Sequence, residues 1–415
     1  MPEFDVKDGN SMKAYERLIN YARVSTASAD GVESSPTTQR QFDLARLLAG
    51  ELRSLGAEDA SVSENCYVCG HIPASPGHEG APTLGLIAHM DTSPDFCGEN
   101  VRPRIIPGYD GGDVELGHGR VLTVEQFPHL PSLAGQTLIT ASGDTLLGAD
   151  DKAGIAEIMT LIEELAADGA PHGRLAVCFT PDEEVGRGTA CFDLERFGAD
   201  FAYTVDGGPA GEIVCENFNA CSAFVDFRGV NVHTGSAKNI MVNAALTAME
   251  FNALLPAGET PRHTEGREGF YHLVNVEGDC GSARAKYILR DHDAAKLAMR
   301  RETVLHAAAC LNEKYGEGTV TATLCDSYKN MIDKILPEHA HLIENAKLAA
   351  RRAGVEPYMR LMRGGTDGAE LSWRGLPCPN LGTGGYAYHG PYEHITAEGM
   401  DKCVQILKNL TGIYA

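Results

Sequence analysis

Three short apolar runs predict buried strands in the first half of the chain: TLGLIAHMD (83–91), LAVCFT (175–180) and FAYTV (201–205). Each run is continuous rather than alternating, as expected of strands that are covered on both faces of a parallel sheet. Two further segments, residues 37–55 and 153–169, place apolar side chains at helical spacing, and glycine ends each of them. Strands that alternate with helices predict an α/β sheet covered on both faces.

The pattern changes after these strands. Residues 97–142 are richer in Gly and Pro and contain short alternating segments, which predicts a β-rich excursion from the first domain. Residues 213–230 alternate between apolar and polar, as antiparallel strands do. Helical and strand patterns then follow each other and predict a small α+β domain. These patterns are the helices Asn243–Leu255 and Asp293–Tyr315 and the strands AKYILRD and TVTATLCD.

The order of the patterns predicts an inserted domain. From about Met331 the alternating α/β character returns and continues to the last helix. We therefore expect a first domain built from residues 1–215 and 329–415, with residues 216–328 inserted as a second domain.

Acidic and histidine side chains follow the predicted strands where the strands end. In open α/β sheets ligands bind beyond the carboxyl ends of the strands, so we expect these side chains to line one cleft. Two histidines and three acids form a donor set for a pair of divalent metal ions, and zinc suits it best. Two acids are left over, which is typical of a hydrolase rather than of a structural metal site. The fragments are AHMDTSP (His89, Asp91), LLGADDKAG (Asp150), TPDEEVG (Glu183, Glu184), TVDGG (Asp206) and GYAYHG (His389).

The first two fragments each leave an alternative open. His89 and Asp91 form an H-x-D pattern, and because residues i and i+2 of a strand point the same way, the carboxylate can fix the imidazole tautomer. A buried histidine with a capping Asp is the alternative. Asp150 and Asp151 precede a helix, where one carboxylate can bridge two ions about 3.5–4 Å apart. Helix capping is the alternative there, and we expect one of the two to cap.

Glu183 and Glu184 give the sharpest local signal. Two adjacent carboxylates after a buried strand repel each other unless cations hold them, so one can be a ligand and its neighbour a general base. An acidic surface loop is the alternative. Asp206 and His389 carry less information singly, because turn chemistry explains D-G-G and a loop histidine can simply pack on tyrosine. The joint presence and order of the five fragments favour function.

Composition excludes several classes of function. Asp and Glu outnumber Lys and Arg by 57 to 35, and the formal net charge of −22 repels nucleic acid and anionic membranes, so neither is expected as a partner. The segment MPEFDVKDGNSMKAYE lacks the basic and apolar regions of a secretory signal, and no apolar stretch is long enough to span a membrane. The twelve cysteines are scattered singly, as buried thiols are in a reducing compartment. We therefore expect a cytoplasmic protein.

Long strings of the chain resemble the peptidase T family of tripeptide aminopeptidases, within the di-zinc superfamily that also contains aminoacylase and carboxypeptidase G. The resemblance runs from about Tyr15 to the C-terminus. It implies a zinc exopeptidase-like catalytic domain with a mixed sheet flanked by helices, and an inserted α+β lid and dimerisation domain that makes a homodimer. The strings are GQTLITASGDTLLGADDKAGIAEIMT, FTPDEEVGRG, YTVDGG, EGFYHL, RGGTDGAELS and GLPCPNLGTGGYAYHG.

The resemblance also implies a metal-binding role for five residues. His89 and Asp206 would bind one zinc ion. Glu184 and His389 would bind the other, and Asp150 would bridge the two. Co²⁺ and Mn²⁺ are alternatives to Zn²⁺ in such a site.

Further roles are implied for residues around the metals. Asp91 would orient His89, and Glu183 would be the general base. His233 would help to polarise the scissile carbonyl, although Thr234 follows it where the family has Pro, so we expect a looser turn there. The substrate's carboxylate end would be bound by Arg290 and by the loop that contains Arg363, Gly365, Thr366 and Asp367.

The predicted function is removal of the N-terminal residue from tripeptides by metal-activated water. One alternative is another amidase of the same superfamily, a dipeptidase or an N-acyl-amino-acid amidohydrolase that acts on short peptides or acylated amino acids. The second alternative is a non-catalytic metal-binding scaffold. Glu183 argues against the scaffold, because a general base has no use in a protein that only binds.

Overall fold

The computed structural model describes residues 11–415, which fall into two compact units. The first unit comprises the described residues up to Cys215 together with Asp333–Arg360 and Thr366–Ala415. The second unit comprises Glu216–Ile332 and Leu361–Gly365. Residues 1–10, which carry most of the segment in which a secretory signal was sought, lie outside the described residues.

The described residues form α-helices in both units. They are α1 (Ala14–Ala22), α2 (Gln41–Ser54), α3 (Ala149–Asp168), α4 (Leu194–Phe197), α5 (Ala244–Leu254), α6 (Ala294–Tyr315), α7 (Ile332–Ile335), α8 (Ala340–Arg352), α9 (Asp367–Trp373) and α10 (Ala397–Ile413). Short 3-10 helices cover Leu130–Leu133, Glu183–Val185 and Thr234–Ser236.

The strands range from two to ten residues in length. They are β1 (Ser61–Val62), β2 (Val68–Ile72), β3 (Leu84–His89), β4 (Arg104–Ile106), β5 (Val114–Gly117), β6 (Arg120–Leu122), β7 (Leu138–Thr140), β8 (Leu175–Thr180), β9 (Phe201–Gly207), β10 (Glu212–Asn217), β11 (Asn219–Arg228), β12 (Phe270–Gly278), β13 (Ser282–Asp291), β14 (Val320–Asp326), β15 (Tyr358–Met362), β16 (Asn380–Gly382), β17 (Gly385–Tyr386) and β18 (His394–Thr396).

The first unit is built on a mixed eight-stranded sheet with the order β1-β2-β8-β3-β9-β16-β10-β15. The three predicted runs form β3, β8 and β9, and β3 pairs in parallel with both of the others. Every residue of β3 and β8 is buried, which explains why their sequences are continuously apolar. The predicted α/β class is therefore confirmed.

Helix α3 crosses the sheet at very short range. A Cβ atom built on Gly154 would lie 1.9 Å from the carbonyl oxygen of Val205 in β9, so no side chain fits at that point. The helix ends at Gly169, whose left-handed conformation lets its N–H bond to the Leu165 carbonyl. The close crossing fixes the N-terminus of α3 against the end of β9.

Helix α2 begins later than its pattern predicts. We expected it from Thr37 and Thr38, but the first helical residue is Gln41. The reason is a long-range contact: both the N–H and the hydroxyl of Thr37 donate to the carboxylate of Asp182. The Thr38 hydroxyl donates to the Ala27 carbonyl.

The predicted β-rich excursion over residues 97–142 is confirmed. Its strands β4 and β7 join β17 and β18 in a four-stranded sheet of order β17-β18-β7-β4. Strands β5 and β6 form a separate hairpin. Across the described residues, no helix combines the length and apolar character needed to cross a bilayer, and no disulfide is formed.

The second unit has an antiparallel sheet of order β12-β13-β11-β14. Helices α5 and α6 bury Phe251, Val304 and Leu311 in its core. The run predicted as one strand over residues 213–230 forms two, β10 and β11, on either side of Phe218. The sequence did not predict β12, because only its first two residues are buried and the alternation is lost beyond them.

Candidate metal centre

The sheet brings the predicted metal ligands to one edge. Parallel neighbours β8, β3 and β9 end side by side, and their carboxyl ends face the same way. His89 is the last residue of β3, Asp206 is near the end of β9, and Glu184 follows β8 in a 3-10 turn. Asp150 lies at the start of α3, and His389 lies in the loop after β17.

The first cluster, which we call the His89 group, consists of His89, Asp150 and Asp206. The His89 Nε2 atom lies 3.0 Å from Asp150 Oδ1 and 3.5 Å from Asp206 Oδ1. One ligand atom from each residue falls within 4.8 Å of the others, a spacing that a single metal ion can span.

The second cluster, the His389 group, consists of Asp150, Glu184 and His389. The His389 Nε2 atom lies 3.1 Å from Asp150 Oδ2 and 2.9 Å from Glu184 Oε2. Asp150 therefore turns one carboxylate oxygen toward each histidine. A carboxylate shared in this way is the arrangement that holds two metal ions side by side.

The charge of the site fits cations. The Glu184 Oε1 atom is buried and has no hydrogen-bond partner among the described residues. Burial, reinforced by neighbouring carboxylates, raises the pKa of Glu184 to about 7 and the pKa of Asp206 above its usual range. Half-buried acids that crowd in this way are stabilised by divalent cations, so the donor set fits a pair of ions.

The same acids raise the pKa values of the two histidines. Hydrogen bonding to Asp150 and then to Glu184 raises the pKa of His389 to about 11. Burial alone would lower the pKa of His89, but the charge of Asp206 and the bond to Asp150 outweigh it and raise that pKa well above its usual range. A metal ion bound by either group would take the place of the proton that these acids favour on its histidine.

Asp91 organises both the first histidine and the loop of paired glutamates. His89 Nδ1 lies 3.0 Å from the Asp91 carbonyl oxygen and 3.3 Å from its Oδ1. A carbonyl can only accept, so Nδ1 carries a proton, and Nε2 is the ring nitrogen that is left to bind a metal ion. The Asp91 carboxylate also accepts the main-chain N–H groups of Glu183 and Glu184, over 3.0 and 3.2 Å.

Glu183 lies beside the ligands and belongs to neither group. Burial, together with the charge of Asp206, raises the pKa of Glu183 well above its usual range. Its neighbour Asp182 is tied elsewhere, because its buried carboxylate accepts from Thr37 and from the Gln41 side chain. Of the acids in this loop that are not candidate ligands, Glu183 alone is thus available to act as a base.

Asp151 takes the capping role that was open between the two adjacent aspartates. Its Oδ1 accepts the N–H of Gly154, and its Oδ2 accepts the N–H of His89. Asp151 thereby joins the start of α3 to the end of β3, while Asp150 remains directed at the two histidines.

His233 belongs to the second unit and is exposed. Its Nδ1 accepts the N–H of Gly235 over 3.2 Å, so in the neutral ring the proton is on Nε2, where it can be donated. Thr234 begins a 3-10 turn that runs to Ser236. The turn therefore forms although the family's proline is absent.

The two candidate arginines of the second unit, Arg290 and Arg363, differ in how many of their guanidinium N–H groups are hydrogen-bonded. Arg363 donates from Nη1 and Nη2 to main-chain carbonyls of Gly266, Glu268 and Thr264, which holds it inside the unit. Among the residues that the structure describes, Arg290 donates from Nη1 to the Arg363 carbonyl, and its buried Nε has no partner. Arg290 is therefore the better placed of the two to bind a further carboxylate.

The remaining substrate-binding candidates have protein partners. A Cβ on Gly365 would lie 2.8 Å from the Tyr328 ring, so this position needs glycine for close packing. The Thr366 hydroxyl accepts from Asn380, and Asp367 accepts from the Thr180 hydroxyl over 2.9 Å. Burial raises the pKa of Asp367 to about 7.

Two contacts that support the site were not predicted from sequence, those of Asp182 and of Glu393. That one of Asp150 and Asp151 caps α3 was expected, and the structure assigns the cap to Asp151. Glu393 accepts main-chain N–H groups of the loop that carries Asp150. A signal was present, since Glu393 follows His389 by four residues in GYAYHGPYEH, but no pattern shows which loop it contacts.

Known proteins match this chain over most of its length. The model of "Peptidase family M20/M25/M40" matches residues 146–412. A protein named Peptidase T from Alkaliphilus oremlandii is 47% identical over 404 residues, which cover 96% of this chain and 98% of that protein.

Solved structures share the fold. The chain is similar to an aminopeptidase PepT from Bacillus cereus, with a TM-score of 0.77 and 22% identity over 97% of this chain and 98% of that one. It is also similar to a Bacillus subtilis structure described as a dinuclear metal binding peptidase from the M20 family. That match has a TM-score of 0.64 and 14% identity over 96% and 98% of the two chains.

Proposed function

Because the chain belongs to peptidase family M20/M25/M40, we propose that it is a metallo-aminopeptidase that releases the N-terminal residue from tripeptides. The observation that carries the proposal is the pair of ligand groups that share Asp150, with the unligated Glu183 beside them. Relatives named Peptidase T, which match nearly the whole chain, support tripeptides as the substrate class and peptide catabolism as the role.

The proposed metals are two zinc ions per chain. His89 and Asp206 would hold one ion, Glu184 and His389 would hold the other, and Asp150 would serve both groups. Histidine nitrogen and carboxylate oxygen are donors that Zn²⁺ prefers, and Co²⁺ or Mn²⁺ can use the same set. The unpartnered Glu184 Oε1 and the crowding of half-buried acids support this assignment.

The chemistry assigns separate tasks to the residues around the ions. When bound, a pair of divalent ions lowers the pKa of a water molecule and polarises the scissile carbonyl. Glu183 takes the proton of the attacking water and passes it to the leaving amine. Asp91 keeps His89 in the Nδ1–H tautomer and holds the main chain of Glu183 in place.

Substrate contacts are assigned to the second unit and to the loop after it. His233, with its donor on Nε2, polarises the carbonyl oxygen. Arg290 binds the carboxylate end of the tripeptide, and the unpartnered Nε supports this role. The side chains of Arg363, Thr366 and Asp367 bond to other protein groups. We therefore assign them, together with Gly365, to holding the shape of the loop around that end of the substrate.

The second unit is assigned the roles of lid and dimerisation domain. Strand β12 forms one edge of its sheet, and Val274 and Val276 on that strand are exposed. Leu246 and Met249 on α5 are exposed as well. A second copy of this chain would cover such an apolar edge, which supports a homodimer. The absence of disulfides among the described residues supports a cytoplasmic location.

Peptide length and a free amino terminus provide the test. The zinc-loaded protein is assayed on free peptides of two, three and four residues, on the same tripeptide with an acetylated N-terminus, and on N-acyl amino acids. We expect the free tripeptide to be cleaved fastest and the acetylated one to resist. Preference for dipeptides or N-acyl amino acids would favour the other amidases, and no turnover on any substrate would favour the scaffold.

A further inference from the structure

Glu393 is a fully buried carboxylate that is held by main-chain donors. Only 1% of its surface is exposed. Its Oε2 accepts the N–H groups of Leu147 and Gly148 over 2.7 and 2.8 Å, and its Oε1 accepts the N–H of Asp150 over 2.9 Å. Three converging N–H groups make the loop 147–150 a concave binding site for this one carboxylate.

The loop that Glu393 holds carries the one residue common to both ligand groups. Asp150 lies 3.0 Å from His89 Nε2 through one oxygen and 3.1 Å from His389 Nε2 through the other. A shift of the Asp150 main chain would therefore change the geometry at both groups together. No other candidate ligand has this position.

Glu393 also connects two segments of the site that are far apart in sequence, the loop of His389 and the loop of Asp150. It follows His389 by four residues, and the same stretch of chain carries both. Through its bonds, the loop of His389 is fixed against the loop of Asp150, so the separation between these two ligands depends on the length of the Glu393 side chain.

We propose that Glu393 is a positioning residue that sets the carboxylate of Asp150 between two metal ions. The inference rests on the proposed metal site. Glu393 itself belongs to neither ligand group, so it acts through Asp150. Residues that orient metal ligands in this way typically change metal affinity about 10–100-fold when they are replaced.

The test is metal affinity, measured apart from turnover. Zn²⁺ dissociation constants are determined by chelator competition for the wild-type chain and for Glu393→Gln, whose amide keeps the shape but places an N–H₂ group among main-chain donors. We expect both ions to bind about 10–100-fold more weakly. If Glu393→Gln does not fold, Glu393→Asp, which is shorter by one methylene, is titrated instead and should show a weakening of the same sign.

A control variant separates positioning of Asp150 from the loss of a glutamate carboxylate that accepts a main-chain N–H elsewhere. Glu398 accepts the main-chain N–H of Thr137 over 2.7 Å, away from Asp150, so Glu398→Gln should keep wild-type Zn²⁺ affinity. A folded Glu393 variant with unchanged affinity for both ions would overturn the positioning role alone. A wild-type chain that binds no divalent ion would overturn the proposed function, and this assignment with it.

Discussion

The main-chain N–H of Glu183 donates to the carboxylate of Asp91 over 3.0 Å, while the same carboxylate lies 3.3 Å from Nδ1 of His89. One side chain thus links a candidate metal ligand to the candidate base. The main chain of Glu183 is therefore held relative to His89 by a buried carboxylate.

The first prediction concerns Glu183 as base. Glu183→Gln should keep both metal ions, because Glu183 is not a ligand, and should lower kcat by about 10²–10⁴-fold, the usual contribution of general acid–base catalysis. Steady-state kinetics and metal analysis of the same sample check this. Glu184→Gln is the control, since it should lose metal. Near-normal activity in Glu183→Gln would contradict the assignment, and Asp182 could not replace the base while it is bonded to Thr37 and Gln41.

The second prediction concerns the bridging role of Asp150. Asp150→Ala should lose most of both ions, because each histidine faces one of its oxygens. Asp206→Ala, in contrast, should weaken only the ion of the His89 group. Plasma emission metal analysis after dialysis measures both contents. Two ions retained in Asp150→Ala would contradict the bridge.

The third prediction concerns His233. If its Nε2–H polarises the carbonyl in the transition state, His233→Ala should lower kcat by about 10²–10³-fold, the cost of removing one oxyanion donor. KM and metal content should change little. His263→Ala, an exposed histidine of the same unit, should keep wild-type kinetics. Unchanged kcat in His233→Ala would leave the carbonyl to the metal ions alone.

The fourth prediction separates the two arginines. Arg290→Lys should raise KM for a tripeptide by about 10–100-fold, since a hydrogen bond to a charged group contributes about 1.5–3 kcal/mol. Arg363→Lys should affect KM less and lower the thermal stability of the chain, because it loses bonds to Gly266 and Glu268. A tripeptide amide, which lacks the carboxylate, should remove the KM difference between Arg290→Lys and wild type. A difference that persists would contradict carboxylate binding.

The fifth prediction concerns acid stability through His394. This buried ring donates from Nδ1 to the Tyr392 carbonyl, and its Nε2 lies 2.8 Å from Nε2 of His129. Burial lowers the pKa of His394 to about 4, against 6.5 for a free histidine. The unfolded chain therefore binds the proton first as the pH falls, and folding free energy is lost between about pH 6.5 and 4.

Urea unfolding of the metal-free protein measures this effect. Between pH 7 and 4.5 the stability advantage of wild type over His394→Asn should shrink by about 2–3 kcal/mol, as linkage requires for this pKa difference. A constant difference for His394→Asn would show that His394 titrates normally.

Local patterns predicted the part of the fold that holds the ligands. Strands β3, β8 and β9 are buried along their length, so their runs are visible without knowledge of their neighbours. The rule that ligands gather at carboxyl strand ends then brings His89 and Asp206 together. The resemblance added the bridging role of Asp150, which could not be separated from capping by spacing alone.

The remaining features depend on partners distant in sequence. Asp182 and Thr37 are 145 residues apart, and Glu393 and Asp150 are 243 apart. The pattern of apolar and polar residues cannot predict such pairs, because each pair joins one side chain to one distant turn of the chain. Strand β12 was missed for a related reason: most of its side chains are exposed, so burial gives it no pattern.

Gly154 shows that a position can be constrained without any chemistry of its own. Its missing side chain lets α3 approach β9 to within contact of the Val205 carbonyl, and Asp150 and Asp206 lie at the ends of these two elements. Any larger residue would act as a wedge between the two ligands. Position 154 must therefore lack a Cβ atom. Gly154 should accept as few substitutions as the metal ligands themselves.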